Sequence, residues 1–143
     1  MKTGVLTLTV AFTMALAFLL VAGFPPSSEA GACPDVDSDT ICDPDDNCLT
    51  HPNLSQNDSN SDGYGNRCDP DLNNVLVVGN ADKGLLLSSF GFSAPNPSFN
   101  PDADHSEPPD NAVGNPDKGT LLQFFGLPPG PSGKGCAGSI PCP

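Results

Sequence analysis

Ten aspartates fall between Asp35 and Asp71, and Arg67 is the only base among them. Such a stretch cannot form an apolar core, so its order must come from ligands to its carboxylates or from covalent cross-links. The spacing is regular. Asp35, Asp37 and Asp39 alternate, and Asp43 and Asp46 follow at the ninth and twelfth places counted from Asp35. A second run repeats the pattern with Asp58, Asn60, Asp62, Gly63, then Asn66 and Asp69 at the ninth and twelfth places. Alternating oxygens on a tightly turning loop converge on one point, a glycine after the third ligand permits the turn, and the later acid closes the shell. A hard cation with about six to eight oxygen ligands fits, and calcium suits better than magnesium, which requires a smaller octahedral site. In the first run Thr40 stands in the glycine's place. A merely solvated acidic run has no reason to repeat the spacing twice or to set cysteines inside it.

Six cysteines follow the apolar N-terminal stretch: Cys33, Cys42, Cys48, Cys68, Cys136 and Cys142. They include no Cys-x-x-Cys pair and have no histidine placed to support zinc. An even number in a small exported chain reads as a disulfide framework. Fifteen pairings are open, and pairing of sequential neighbours is expected: Cys33–Cys42, Cys48–Cys68 and Cys136–Cys142. Closing the Cys48–Cys68 loop is worth about 3 kcal/mol on the chain-entropy account.

Export is read from the N-terminus. Lys2 gives a positive start, Val5 to Ala22 is apolar apart from three threonines, Phe24-Pro25-Pro26 ends the run, and Ser28-Glu29-Ala30 offers small residues for cleavage. Residues 1–30 are therefore expected to be a signal peptide. The alternatives are an uncleaved anchor, since the run nearly spans a bilayer, and a lipoprotein at Cys33, which lacks the large aliphatic residue three places earlier. The expected location is secreted, extracellular or cell-surface, or periplasmic in a bacterial source. From Gly31 onward 113 residues carry 16 acids against Arg67, Lys83, Lys118 and Lys134, so the net charge of −12 falls on the exported part. No basic patch is present to neutralise phosphate, which excludes nucleic acid and anionic membrane surfaces as partners.

The run Asp35-Val-Asp-Ser-Asp-Thr-Ile-Cys42-Asp43-Pro-Asp45-Asp46-Asn47-Cys48, followed by Asn53-Leu-Ser-Gln56 and Asp58-Ser-Asn60-Ser-Asp62-Gly63-Tyr64-Gly65-Asn66-Arg-Cys68-Asp69, resembles thrombospondin type 3 repeats. The match covers roughly 40 residues, 33–73, with its motif elements in order. The resemblance implies a chain wrapped around calcium ions and pinned by disulfides, with an adhesive or spacer role.

The second half repeats itself at a shift of 35 residues. Val78-Gly79-Asn80-Ala81-Asp82-Lys83-Gly84-Leu85-Leu86-Leu87 with Phe90-Gly91 matches Val113-Gly114-Asn115-Pro116-Asp117-Lys118-Gly119-Thr120-Leu121-Leu122 with Phe125-Gly126. Each copy reads as a short amphipathic helix begun at its aspartate and ended by its glycine. Leu86, Leu87 and Phe90 are expected to pack against Leu121, Leu122 and Phe125. The duplicated loop-helix unit, residues 71–127, resembles a degenerate type I dockerin, a relative of the EF-hand. Asp71 and Asn73 match the first and third ligand places, and Asp82 falls at the twelfth. Val75, Leu76 and Gly79 then depart from the pattern. In the second copy Asp102 and Asp104 begin a loop that Ser106-Glu107-Pro108-Pro109 interrupts, and Asp117 stands two residues too far from Asp104. Loops so altered are expected to bind calcium weakly or not at all, while Asp82 and Asp117 are also explained as helix caps. The dockerin resemblance implies a cohesin-type partner read by Asn80-Ala81 and Asn115-Pro116; a matrix protein is the alternative partner.

Residues 128–143, rich in proline and glycine, are expected as an extended tail whose Cys136 and Cys142 close a small loop. Catalysis would need a base beside a nucleophile or an open metal site. His51 and His105 each read as exposed loop histidines without such a partner, so no enzyme is expected. The fold class expected is small, irregular loops held by calcium and disulfides, then a two-helix unit, with little β-structure.

Overall fold

The computed structural model describes residues 33–142, so the expected signal peptide lies outside the described residues. Within them are two α-helices, one 3-10 turn at Pro101–Ala103, no strands and one isolated bridge between Ser93 and Ala112. All three expected disulfides are formed: Cys33–Cys42, Cys48–Cys68 and Cys136–Cys142. The fold is irregular and disulfide-stapled, as the shortage of core residues requires.

Helix α1 spans Asn80–Ser89 and helix α2 spans Asn115–Phe124. Each begins in the same way. Gly79 N–H donates to Asp82 Oδ2 and Gly114 N–H donates to Asp117 Oδ2, both at 2.7 Å. The carboxylate thus satisfies a donor just before the helix and places negative charge at the positive end of its dipole. Each helix stops before a glycine with left-handed backbone, Gly91 (φ 83°) and Gly126 (φ 85°).

The two copies clasp reciprocally. Val78 donates to the Leu127 carbonyl (2.9 Å) and accepts from Gly126 N–H (2.8 Å). Val113 donates to the Phe92 carbonyl (3.0 Å) and accepts from Gly91 N–H (2.7 Å). Because 78 and 113, 91 and 126, and 92 and 127 are all related by the 35-residue shift, the segment before each helix pairs with the segment after the other. This arrangement buries Val78, Leu86, Val113, Leu121 and Phe124 together with Ala103 and the Cys48–Cys68 disulfide in one core.

The expected helix faces are corrected. Leu86 and Leu121 are buried, but Leu87, Phe90, Leu122 and Phe125 are largely exposed, the two leucines by about half. In their place α1 buries Ser89, whose Oγ accepts from Asn100 N–H (2.7 Å), and α2 buries Phe124, whose ring lies 5.2 Å from that of His51. The core is therefore shared with the acidic half rather than closed between the helices. Glu107 ties the halves again, accepting from Ser55 N–H (3.0 Å) and Ser55 Oγ (2.6 Å).

The C-terminal segment also departs from a free tail. Gly130 N–H donates to the Cys68 carbonyl (3.0 Å), Leu49 N–H to the Pro131 carbonyl (2.9 Å) and Gly133 N–H to the Asp46 carbonyl (2.8 Å). It lies back across the aspartate-rich loops.

Candidate metal centre

Loops 35–46 and 58–69 match bond for bond. At the first place, Asp35 Oδ1 accepts from Ser38 N–H (2.7 Å) and Asp39 N–H (3.2 Å), and its Oδ2 from Thr40 N–H (3.0 Å). Asp58 Oδ1 accepts from Ser61 N–H (2.7 Å) and Asp62 N–H (3.3 Å), and its Oδ2 from Gly63 N–H (2.9 Å). At the third place, Asp37 and Asn60 accept from the Asp39 and Asp62 amides (3.3 and 3.1 Å). At the fifth, Asp39 and Asp62 accept from the Ile41 and Tyr64 amides (2.8 and 2.9 Å). At the ninth, Asp43 and Asn66 each reach back to the second place, accepting from Val36 and Ser59 N–H (both 2.9 Å). At the twelfth, Asp46 and Asp69 accept from the amides two residues on, Cys48 and Asp71 (2.8 and 3.2 Å). Each side chain is thus fixed by a backbone donor, so its rotamer is chosen before any ligand arrives.

The backbone matches as well. The fourth and sixth places are left-handed in both loops: Ser38 (φ 66°) and Thr40 (φ 79°) in the first, Ser61 (φ 60°) and Gly63 (φ 88°) in the second. Thr40 therefore accepts the turn that a glycine takes without strain. The loops are joined by Gln56, whose Oε1 accepts from Asn47 N–H and whose Nε2 donates to Asp46 Oδ1, both at 2.9 Å. Asn53 completes the Asn53-Leu-Ser-Gln56 element, donating its N–H to Asp39 Oδ2 (2.8 Å) while its carbonyl accepts from Gln56 Nε2 (3.2 Å).

A third loop, 71–82, takes the same course in spite of its substitutions. Asp71 accepts from Val75 N–H at 3.2 Å and from Leu76 N–H, and Asn74 (φ 55°) and Leu76 (φ 63°) are again left-handed. Asp82 Oδ1 closes the loop by accepting from Asn73 N–H (3.0 Å). Asp71 and Asp82 are fully buried. In the second copy, Asp104 takes the first place: it accepts from Ser106 N–H (3.2 Å) and, past the two extra residues, from Asn111 N–H (2.8 Å). Asn111 is left-handed (φ 58°) and stands 35 residues after Leu76. Asp117 Oδ1 accepts from His105 N–H (2.8 Å).

The donor set fits a hard cation. One carboxylate oxygen from each of Asp35, Asp37 and Asp39 lies within 4.8 Å of the others, and oxygens on opposite sides of one calcium ion are about 5 Å apart. Two buried oxygens have no hydrogen-bond partner, Asp37 Oδ2 and Asn73 Oδ1. Both belong to the third place of their loops. A buried acceptor without a donor is costly, and a cation at the centre of each loop would satisfy the one it holds. All these donors are oxygens, which disfavours soft metals.

Electrostatics point the same way. Burial pushes the Asp69 carboxyl up to about 8, with neighbouring Asp62 and Asp71 adding to the rise. Burial, then the charges of neighbouring aspartates, also raises Asp37, Asp62 and Asp71. Asp102, placed by sequence in a loop of its own, stands instead beside the second loop: burial raises it, and the charges of Asp58 and Asp62 raise it further. The Pro101–Ala103 turn holds it there through Asn66 Nδ2, which donates to the Pro101 carbonyl (2.8 Å). Nothing in the spacing of Asp102 marks that position.

His105 is corrected from exposed to fully buried. Its Nδ1 meets the Asp117 carbonyl at 3.1 Å, and burial lowers its basicity, with Arg67 lowering it further. Arg67 donates to the His105 carbonyl and to Thr120 Oγ1, both at 3.4 Å, and so spans from the second loop to α2.

Comparison of the chain with family models, with curated proteins and with solved structures found no match.

Proposed function

We propose that the chain is an exported calcium-binding structural protein, a spacer or adhesion module built from thrombospondin type 3-like loops and a dockerin-like helix pair. The observation that carries this reading is the bond-for-bond identity of loops 35–46 and 58–69, with unpartnered buried oxygens at the third place of the first and third loops. Asp58, Asn60, Asp62, Asn66 and Asp69 hold one ion, and Asp35, Asp37, Asp39, Asp43 and Asp46 another. Asp71 and Asn73, with Asp82, form a weaker third site because Val75 supplies no side-chain oxygen. Each bound calcium offsets two of the twelve net negative charges, and ion binding supplies folding free energy that the small core cannot. The three disulfides suit an oxidising compartment outside the cytoplasm.

Calorimetric titration of the oxidised chain with calcium tests the reading. Saturable binding and a melting temperature that rises with calcium are expected, with Asp62→Ala removing one site. A chain whose melting temperature is the same in calcium and in EDTA is not a calcium-built protein.

One observation favours docking as a second role. Leu87 and Phe90 and their repeat mates Leu122 and Phe125 stay exposed on the helix pair, the kind of surface a cohesin-type or matrix partner covers. Loss of partner capture in a Leu87→Asp/Leu122→Asp double variant that still binds calcium is the expected result.

A further inference from the structure

The segment 130–142 is bonded to the second loop in a way that nothing in the first loop repeats. Ser132 Oγ donates to the Gly63 carbonyl (2.7 Å), Gly138 N–H to the Asp62 carbonyl (2.8 Å) and Cys142 N–H to the Ser61 carbonyl (2.7 Å). These are three consecutive carbonyls, at the fourth, fifth and sixth places of the loop. No backbone or side-chain donor among the described residues reaches the matching carbonyls of Ser38, Asp39 and Thr40. The contact is also steric. Gly63 has no room for a Cβ, which would run into Cys142 Sγ and come within 2.9 Å of the Ala137 Cα, and Gly130 lies so close over Tyr64 that a Cβ would stand 2.7 Å from the ring.

The geometry has a thermodynamic consequence. Asp58 and Asp62 lie close enough for their charges to repel, which opposes the tight turn whenever no cation is present. The turn further demands left-handed backbone at Ser61, where a Cβ crowds the backbone of any residue but glycine. Donors placed on the outward carbonyls hold the turn from the opposite side. We propose that residues 130–142, closed by the Cys136–Cys142 disulfide, are a strap that preorganises the Asp58–Asp69 loop, so that cation binding there and docking of the strap strengthen each other. This rests on the calcium reading above. Coupling between two such events is reciprocal: whatever factor the strap adds to cation affinity, the cation adds to strap docking.

Tyr64 makes the second loop separately observable. It is the only tyrosine, and the chain has no tryptophan. Terbium, a hard cation that takes the same oxygen ligands as calcium, emits when excited through a nearby phenol. Asp71 of the third loop also lies near Tyr64, so the part of the emission that Asp62→Ala removes is the part that reports this loop. In the full oxidised chain we expect saturable emission that calcium displaces. Ser132→Ala should weaken terbium binding several-fold and Cys136→Ser/Cys142→Ser by about tenfold, within the usual range for coupled sites. Reciprocally, saturating calcium should slow reduction of Cys136–Cys142 by dithiothreitol several-fold in the unaltered chain and less in Ser132→Ala, followed by mass mapping with oxidised glutathione as the reference, since Cys42 lies inside the first loop. Ser132→Ala leaves every disulfide in place, so it decides the matter if the double variant misfolds. Saturable emission with Ser132→Ala titrating like the unaltered chain, and a reduction rate indifferent to calcium, would overturn the strap while leaving the calcium reading intact. No saturable emission from the unaltered chain overturns both.

Discussion

Leu76 holds, at φ 63°, the same left-handed turn that Gly63 holds at φ 88° one loop earlier. A leucine there carries a steric penalty of about 1–2 kcal/mol, while a glycine costs about 0.5–1 kcal/mol more in unfolded-chain entropy. The side chain is half exposed, so its removal loses little burial. Leu76→Gly is therefore expected to stabilise the metal-free protein by about 0.5–1 kcal/mol, as a rise of a few degrees in melting temperature. A fall would show that the Leu76 side chain makes packing contacts worth more than the backbone strain.

Phe124 and Phe125 are neighbours with opposite fates. Phe124 is 6% exposed, packed into the core against His51, whereas Phe125 is 43% exposed. Truncating a buried phenylalanine costs about 3–5 kcal/mol, while an exposed one is usually worth under about 0.5 kcal/mol. Thermal or urea unfolding should find Phe124→Ala severely destabilised and Phe125→Ala close to the unaltered chain. Equal losses would mean that the helix pair buries the face expected from its sequence after all.

That reversal shows what was legible in the sequence and what was not. The 35-residue repeat located both helices, since Asp82 and Asp117 mark their starts and Gly91 and Gly126 their ends. The cysteine order foretold the three disulfides, and the aspartate spacing foretold two loops that match bond for bond. The buried face is not legible locally, because Phe90 in one copy and Phe125 in the other stand at helical spacing from the leucines, and periodicity favours such a pair. The reciprocal pairing of Val78 with Gly126–Leu127 and of Val113 with Gly91–Phe92 turns those rings outward, and no local pattern encodes a pairing made across the repeat. The strap escaped for a similar reason. Its contacts are backbone donors and small residues, which leave no hydrophobic period to read. His105 lies in a loop, as its neighbours suggest, but the partners that bury it, Arg67 and Asp117, lie 38 and 12 residues away in the chain, and no local pattern carries that.

Asp69 sets the last expectation. In the metal-free fold its carboxyl is raised from the ordinary 3.8 to about 8 by burial and by the charges of Asp62 and Asp71. Between those values the folded chain binds a proton that the unfolded chain does not, so stability falls as pH rises through this window. His105 acts in the opposite sense, because burial holds it neutral and the unfolded chain takes up its proton below about 6.5. His51, also lowered by burial, acts the same way, and since histidines in the unfolded chain are mostly neutral above about pH 6.5, the carboxylate effect is the larger from pH 6.5 to 8. In EDTA the melting temperature should be lower at pH 8 than at pH 6.5. Calcium competes with the same protons, so the rise in melting temperature on adding it should be larger at pH 8. Asp69→Asn should flatten the EDTA profile across this interval, since an amide neither titrates nor repels Asp62. A metal-free melting temperature that rises from pH 6.5 to 8 would mean that Asp69 is already ionised in the fold, and that the loop tolerates its charges without a cation.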